Sequence, residues 1–522
     1  MNNRIILCTV APCSHRTAEE NLGIGYLASV LREKRYIVDI IDAWLNPITD
    51  DEILLNIEKY KDILAVGFSC YQTNIERTIK LSNKIQKKLH LPIFCGGFGP
   101  TFDPDYFLNS GFDIVIRGEG EVTIVEVCRW LQNPITSISD IAGVSYRKNN
   151  ENCHNHDRKL IENLDLLPFP DRSTMKYAIQ KKATVNILSS RGCMGNCIFC
   201  SVIAFFRKSE GCFWRSRTIP NFVDEIEFLY NQGVRHIKVI DDSFIENERD
   251  ELWCKNLADE IEKRKINVML RGSVRADKIT EERIIHLKRA GFFSFSCGIE
   301  NGSPSALKRM NKAASLKANE DALDLFKKYG FIVQAGFILF DPDTTLLELK
   351  ENYEFMKKYK WTLSKGVFSE MYAAEGTRLT NKLRTEGKIA SKRVIQGNNQ
   401  YDFQDDQVLK VYESLKMWHK SHMNTYDMAI DPLTSPKALE MNEISLFYDC
   451  AMELKEIDLT FFGKILQLVS DNSNRTIEEV KEYTRECIEK EDYVILRIGE
   501  RVKTLYRNMG IIYDAAANPF IL

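Results

Sequence analysis

The chain has 522 residues, 44% hydrophobic and 28% charged, with a formal net charge of −2 at pH 7. That length suggests two to four domains of about 150 residues each, with the composition of an ordinary globular protein. The near-neutral balance gives no electrostatic case for nucleic acid or an anionic membrane as partner, and no apolar run reaches the ~18 residues of a transmembrane segment.

Residues 1–135 alternate short apolar runs with helical stretches. Strands are predicted at 5–10, 37–42, 63–69, 91–95 and 112–116, and helices at 21–35, 51–61, 73–88 and 121–132. Strands alternating with helices imply an α/β domain with a doubly wound parallel sheet. Such sheets bind ligands beyond the carboxyl ends of their strands. The loops there are 11–20, 69–74, 96–101 and 118–121, where glycine permits close backbone approach to a large flat ligand. Ser69, Tyr71, Gln72, Gly96, Gly97, Gly118 and Glu119 are therefore candidate cofactor contacts. Residues 136–180 read as a connector, with a proline cluster in Leu166-Leu167-Pro168-Phe169-Pro170-Asp171-Arg172 that favours extended chain.

Directly after an apolar run at 185–188 comes Arg191-Gly192-Cys193-Met194-Gly195-Asn196-Cys197-Ile198-Phe199-Cys200. Three cysteines spaced C-x3-C-x2-C, with an aromatic before the third, can hold three irons of a [4Fe–4S] cluster and leave the fourth open to a substrate. A structural zinc site needs four ligands, and Cys212, the next cysteine, stands alone. The fourteen cysteines are scattered without regular pairing, and the N-terminus shows no secretory signal, so a reducing cytoplasm is expected rather than a disulfide framework. Most of the others, such as Cys70, Cys95 and Cys297, read as small buried hydrophobes.

From 181 to 385 the βα rhythm resumes. Strands are predicted before Cys193 and at 236–240, 267–271, 293–300, 332–339 and 366–372. Six βα units make a partial barrel, with active-site groups expected at the strand C-termini. Asp241, Asp242, Arg271, Arg275, Glu300 and Gly336 lie at such positions. Beyond 386 long helical stretches (404–424, 436–455, 477–507) suggest a mostly helical domain that covers the barrel mouth and shapes a substrate pocket.

The cysteine segment in this setting resembles the radical S-adenosylmethionine (SAM) superfamily. Asn21-Leu22-Gly23-Ile24-Gly25-Tyr26-Leu27-Ala28, Gly96-Gly97, Arg117-Gly118-Glu119-Gly120-Glu121 and the connector resemble the cobalamin-binding, Rossmann-like domain that precedes many radical SAM modules. The resemblance implies a [4Fe–4S] cluster on Cys193, Cys197 and Cys200, with Phe199 beside it. It implies SAM chelated at the open iron and cleaved to a 5′-deoxyadenosyl radical, and a cobalamin, as methylcobalamin, in the N-terminal domain. Glu300, in Ile299-Glu300-Asn301-Gly302-Ser303, is implied to hold the SAM ribose, a helix cap with Ser303 being its other reading. Arg271 or Arg275 would pair with the SAM carboxylate, an Arg275–Asp277 ion pair being the alternative. Gly336–Asp341 would pack the adenine, and Glu375-Gly376-Thr377 stands where the family often has Pro-Gly-Thr. One departure is the missing D-x-H-x-x-G motif: Cys13-Ser14-His15-Arg16-Thr17-Ala18 keeps only its histidine, so His15 is not expected to ligate cobalt.

The implied activity is cobalamin-dependent C-methylation of an unactivated carbon in a specialised metabolite or peptide, fed by an external electron donor such as flavodoxin or ferredoxin. A non-methylating rearrangement, ring contraction or cyclisation is the alternative. A methylthiotransferase is disfavoured because Cys8, Cys13, Cys70 and Cys95 do not reproduce its N-terminal cluster ligands. The intact cysteine triad and Glu300 argue against a cobalamin sensor with a vestigial barrel.

Overall fold

The computed structural model describes residues 2–11, 20–71, 74–135, 137–246, 248–389, 403, 405–434, 437–471 and 474–511. The N-terminal sheet contains β1 (Arg4–Thr9), β2 (Ile37–Asp42), β3 (Ile63–Ser69), β4 (Ile93–Gly96), β5 (Ile114–Ile116), β6 (Val144–Lys148) and β7 (Glu151–His154), in the order β2-β1-β3-β4-β5-β6-β7. The first five are parallel. β1 and β3 are buried almost end to end, as expected of parallel strands covered on both faces.

β6 and β7 add an antiparallel pair at the β5 edge, in a segment whose sequence reads as connector. Their turn is Asn149-Asn150, both at positive φ (52° and 66°). Asparagine tolerates this conformation, and a two-residue hairpin turn needs it. Two short helices, Phe98–Phe102 and Pro104–Asn109, also form here, the first in the loop predicted at 96–101 and the second in a stretch with no predicted element. Their glycines and prolines read as breakers, but Pro104 stands in the first turn, where its missing N–H costs nothing.

The second sheet contains β8 (Val185–Ile187), β11 (His236–Val239), β12 (Met269–Arg275), β13 (Phe292–Glu300) and β14 (Ile332–Phe337), all parallel, in the order β14-β13-β12-β11-β8. β9 (Ser190–Gly192) and β10 (Trp214–Ser216) pair antiparallel beside it. Phe222, Phe244, Phe292, Phe295 and Phe326 fill the core between sheet and helices. The predicted sixth strand is reduced to the bridges Gln334↔Leu363 and Phe340↔Glu370. Gly366, at φ 73° between them, breaks the extended backbone.

Helices Asp406–Thr434, Met441–Asp471 and Ile477–Asn508 form a three-helix bundle. Its core, with Trp418, Phe447 and Phe462, merges with Leu339, Phe340 and Leu363 at the open side of the barrel. Among the described residues no helix is long and apolar enough to cross a membrane.

The two sheet domains are tied by buried ion pairs. Arg172, from the proline-rich connector, donates to Glu20 and Glu225, both at 2.6 Å. Arg217 reaches the same Glu225 and the Leu188 carbonyl.

Candidate active site

The cysteine loop begins where β9 ends. Gly192 has φ 90°, and a Cβ there would lie 1.7 Å from the Phe213 carbonyl oxygen, so only glycine fits. Cys193, Cys197 and Cys200 follow, all half-buried thiols. Cys193 Sγ accepts from the Gly195 amide at 3.2 Å and donates to Glu246 Oε1 at 3.5 Å. Burial raises all three thiols, Cys193 to about 12; Cys200 adds to the rise of Cys193, and Cys197 to that of Cys200. Metal binding would overcome that cost, because a thiolate ligand is deprotonated by its metal. Among the described residues no three His, Cys, Asp or Glu side chains converge on a point as ligands of a single ion. Cysteine thiolates that ligate an iron–sulfur cluster each bind a separate iron and need no such convergence, so three thiols on one loop fit the cluster.

Strand ends surround this loop. Glu300 closes β13 at φ 66°, at an irregularity in the β13–β14 register. Its Oε1 accepts from Lys312 Nζ at 3.0 Å. It does not cap the following helix: Ser303 takes the N-cap position without a side-chain cap bond, and its hydroxyl lies 3.0 Å from that of Ser305. Gly336 faces Glu300, whose Oε2 would be 3.9 Å from a Cβ there. Phe199 packs with Ile338 and Tyr372 over Met310 and Met371. Gly376, at φ 81°, turns against Phe102 of the N-terminal domain.

The two candidate arginines part company. β12 runs four residues past Arg271, so Arg271 lies inside the barrel, fully buried and donating to Ser294, Ser296 and Gln334. Arg275 ends the strand, pairs with Asp277 (2.6 Å) and Glu246 (3.3 Å), and lies against the cysteine loop. Asp241 is a buried brace: it accepts from the Ser189 amide and the Ser190 hydroxyl and pairs with Arg249. Lys312 carries no family motif. The six-residue helix Pro304–Arg309 and the turn after it return the chain to β13, which places its ammonium on Glu300.

A cavity of about 300 Å³ opens between the two sheet domains. Ser69, Gly96, Gly97, Gly118 and Glu119 line it from the N-terminal domain, and Phe205, Phe206 and Asp242 from the barrel side. Phe205 and Phe206 belong to helix Ser201–Phe206, which starts directly after Cys200. Gly97, at φ 113°, has no room for a side chain: a Cβ would lie 2.6 Å from the Cys70 carbonyl oxygen. The glycine-edged, largely apolar lining beyond the parallel strand ends suits one face of a macrocycle held by backbone contacts. Tyr71 instead packs edge-on against Trp44 at 5.4 Å. Gln72 and His15 lie outside the described residues.

Glu119 lines the cavity but is bound up in a strut. It accepts from Arg191 (2.9 Å), Arg215 (2.8 Å) and the Ile161 amide (2.7 Å), while Glu121 also takes Arg191 (2.6 Å). Burial alone would raise the Glu119 carboxyl, but the two guanidiniums outweigh it and hold it below the usual range. Arg215, in the Trp214–Ser216 strand, thus serves the domain junction.

A B12 binding domain matches residues 14–128, and the radical SAM superfamily matches residues 187–356. The chain is a radical SAM protein with an N-terminal B12-binding domain. It is 29% identical to an uncharacterized methyltransferase of Pyrococcus horikoshii over 69% of this chain and 77% of the relative. It is 25% identical to an anaerobic magnesium-protoporphyrin IX monomethyl ester cyclase of Synechocystis sp. over 67% and 73%. Among solved structures, the cobalamin-dependent SAM radical enzyme OxsB shares its fold with a TM-score of 0.75 at 19% identity, over 99% of this chain and 82% of that one. The two domains imply a [4Fe–4S] cluster, SAM and cobalamin as cofactors, and make the chain an enzyme of the cobalamin-dependent radical SAM class with methyltransferase-like homologues.

Proposed function

We propose that the protein is a C-methyltransferase acting on an unactivated carbon of a small specialised metabolite or peptide. When bound, the cluster with SAM supplies a hydrogen-abstracting radical, and methylcobalamin supplies the methyl group. One observation carries this reading: the helix that leaves the third cluster cysteine forms a wall of the cavity at the strand ends of the B12 domain. The two cofactor spaces then share one partition, and a substrate between them is within reach of both.

In this reading Cys193, Cys197 and Cys200 hold three irons. Glu300, held by Lys312, binds the SAM ribose hydroxyls as acceptor. Arg275 is the strand-end guanidinium; it pairs with Asp277, and to meet the SAM carboxylate it would exchange its 3.3 Å contact with Glu246, while Arg271 organises the barrel interior. Gly336 leaves room for the adenine. Ser69, Gly96, Gly97 and Gly118 meet the corrin through backbone and hydroxyl. Aromatic and aliphatic walls exclude water, which protects a reactive carbon centre from side reactions. The reading requires a one-electron donor protein of the flavodoxin or ferredoxin kind.

The test uses anaerobically reconstituted protein with deuterated-methyl SAM, a reductant and an extract of small molecules. A mass-shifted product, formed together with 5′-deoxyadenosine and S-adenosylhomocysteine, supports methyl transfer. The cyclase relative favours a second reading, a rearrangement or ring closure without methyl transfer. That reaction would give 5′-deoxyadenosine and a changed product, without S-adenosylhomocysteine or label.

A further inference from the structure

The chain leaves β11 through two consecutive aspartates that face opposite ways. Asp241 turns inward and spends its oxygens on Ser189, Ser190 and Arg249. Asp242 turns toward the domain junction. Its Oδ2 accepts from the Gly192 amide at 3.0 Å, one residue before the first cluster cysteine. More than a third of its surface is open, and that surface lines the interdomain cavity.

The other charges of the cavity wall neutralise one another. Glu119 and Glu121 are held by Arg191, and Glu119 by Arg215 as well. Asp242 has no ion-pair partner among the described residues, and only its Oδ2 accepts a hydrogen bond from them. It also lies near enough to Cys200 to raise that thiol. A carboxylate oxygen left open at the edge of a mostly apolar space is a ready acceptor for a ligand that brings an N–H into it. The corrin ring of cobalamin carries such donors, the N–H groups of the amides at its rim.

We propose that Asp242 is a cobalamin-binding residue contributed by the barrel domain, with its free carboxylate oxygen accepting a hydrogen bond from a corrin side-chain amide. The assignment rests on the reading that cobalamin occupies this cavity. It makes the cofactor site a joint product of two domains: Ser69, Gly96, Gly97 and Gly118 from one, Asp242 from the other. It also puts one carboxylate on the partition between the corrin and the cluster loop, tied to that loop through Gly192.

The experiment is equilibrium titration of cluster-loaded, cobalamin-free protein with hydroxocobalamin, followed by absorbance. Asp242→Ala should weaken binding about tenfold or more, the range for losing a hydrogen bond to a charged group. Asp242→Asn, which keeps an acceptor oxygen but no charge, should fall between Ala and wild type. Iron content should stay unchanged in the Asn variant, and if the Ala variant loses its cluster the Asn variant carries the comparison alone. Wild-type affinity in both variants, with the cluster intact, overturns the role of Asp242 and leaves the cobalamin site standing. Failure of the wild-type protein itself to bind hydroxocobalamin overturns both.

Discussion

Lys312 Nζ and Glu300 Oε1 meet at 3.0 Å directly above Gly298. A Cβ at position 298 would come within 2.6 Å of the carboxylate and 3.0 Å of the ammonium. Glu300 holds φ 66° to reach this place, a backbone conformation that costs a non-glycine residue on the order of 1 kcal/mol and that clusters at functional sites. The Lys312 side chain is only 6% exposed. Burial pulls its pKa down, but Glu300, together with Cys197 and Cys297, holds it above the usual lysine value.

If Glu300 binds the SAM ribose as proposed, Lys312→Met should weaken SAM binding about tenfold, because that carboxylate loses the cation that orients it. Calorimetric titration of SAM into cluster-loaded protein reads this directly. Gly298→Ala should act in the same direction by pushing Glu300 aside. Unchanged SAM affinity in both variants would remove Glu300 from the SAM site.

Single alanine replacements of Cys193, Cys197 and Cys200 should each deplete bound iron and remove the charge-transfer absorbance of the cluster, with helical content retained. The loop stands on Gly192, not on the thiols, for its backbone path. Gly192→Ala should thus lose the cluster as well, although no ligand is touched. An iron-replete Gly192→Ala protein would contradict the 1.7 Å approach to the Phe213 carbonyl.

Much of this was legible in the sequence, for definite reasons. Continuous apolar runs such as Ile63–Ser69 mark parallel strands buried on both faces, and the C-x3-C-x2-C spacing is local. The Asn149-Asn150 turn was a hairpin signal hidden inside an apparent connector. Arg271 and Arg275 looked equivalent because strand ends are set by pairing: residues 272–275 pair with β13 and carry the rim four residues onward. The pairs Glu119–Arg215 and Glu300–Lys312 join residues 96 and 12 positions apart, and nothing in a linear pattern announces which charges will meet. Glu119 looked like a cofactor contact because it stands in a glycine-rich strand-end loop, yet most of its hydrogen-bonding capacity serves the junction.

That junction predicts a strong asymmetry in stability. Glu119 is 4% exposed and accepts from two buried arginines. Glu119→Ala leaves those guanidiniums short of a partner, which should cost about 3–5 kcal/mol. Glu119→Gln, still an acceptor, should cost less. The folded carboxyl sits below its usual range, so its contribution is present above the unfolded pKa and is lost as pH falls through the lower, folded value. Denaturant melts of both variants near neutral pH, followed by helical circular dichroism, measure the difference. Equal midpoints for wild type and the Ala variant would show that the strut carries no stability.

The helical bundle should show an acid sensitivity that belongs to His422. Its ring is buried, edge-on to Trp418 at 4.4 Å and to Tyr426 at 6.3 Å. Among the described residues its one polar neighbour is Asp492, whose Oδ1 stands 3.5 Å from Nε2, long for a hydrogen bond. Burial pushes its pKa down to about 4, against the raising pull of Asp492. Above the unfolded value near 6.5 neither state binds the proton. As pH falls from there toward 4 the unfolded chain takes it up and the folded one does not, so stability is lost, about 3 kcal/mol in full. Asp458, which accepts from Trp418 Nε1 at 2.8 Å and also from Tyr426, works the other way. Burial raises it to about 6, so it protonates more readily in the folded state and stability rises as pH falls between that value and its unfolded one. The two slopes partly offset each other in the wild-type protein. His422→Gln removes only the first, so the stability of the variant relative to wild type should climb as pH is lowered from about 7 to about 4.5. A difference between the two proteins that stays constant across that interval would mean that the buried ring is not what resists protonation.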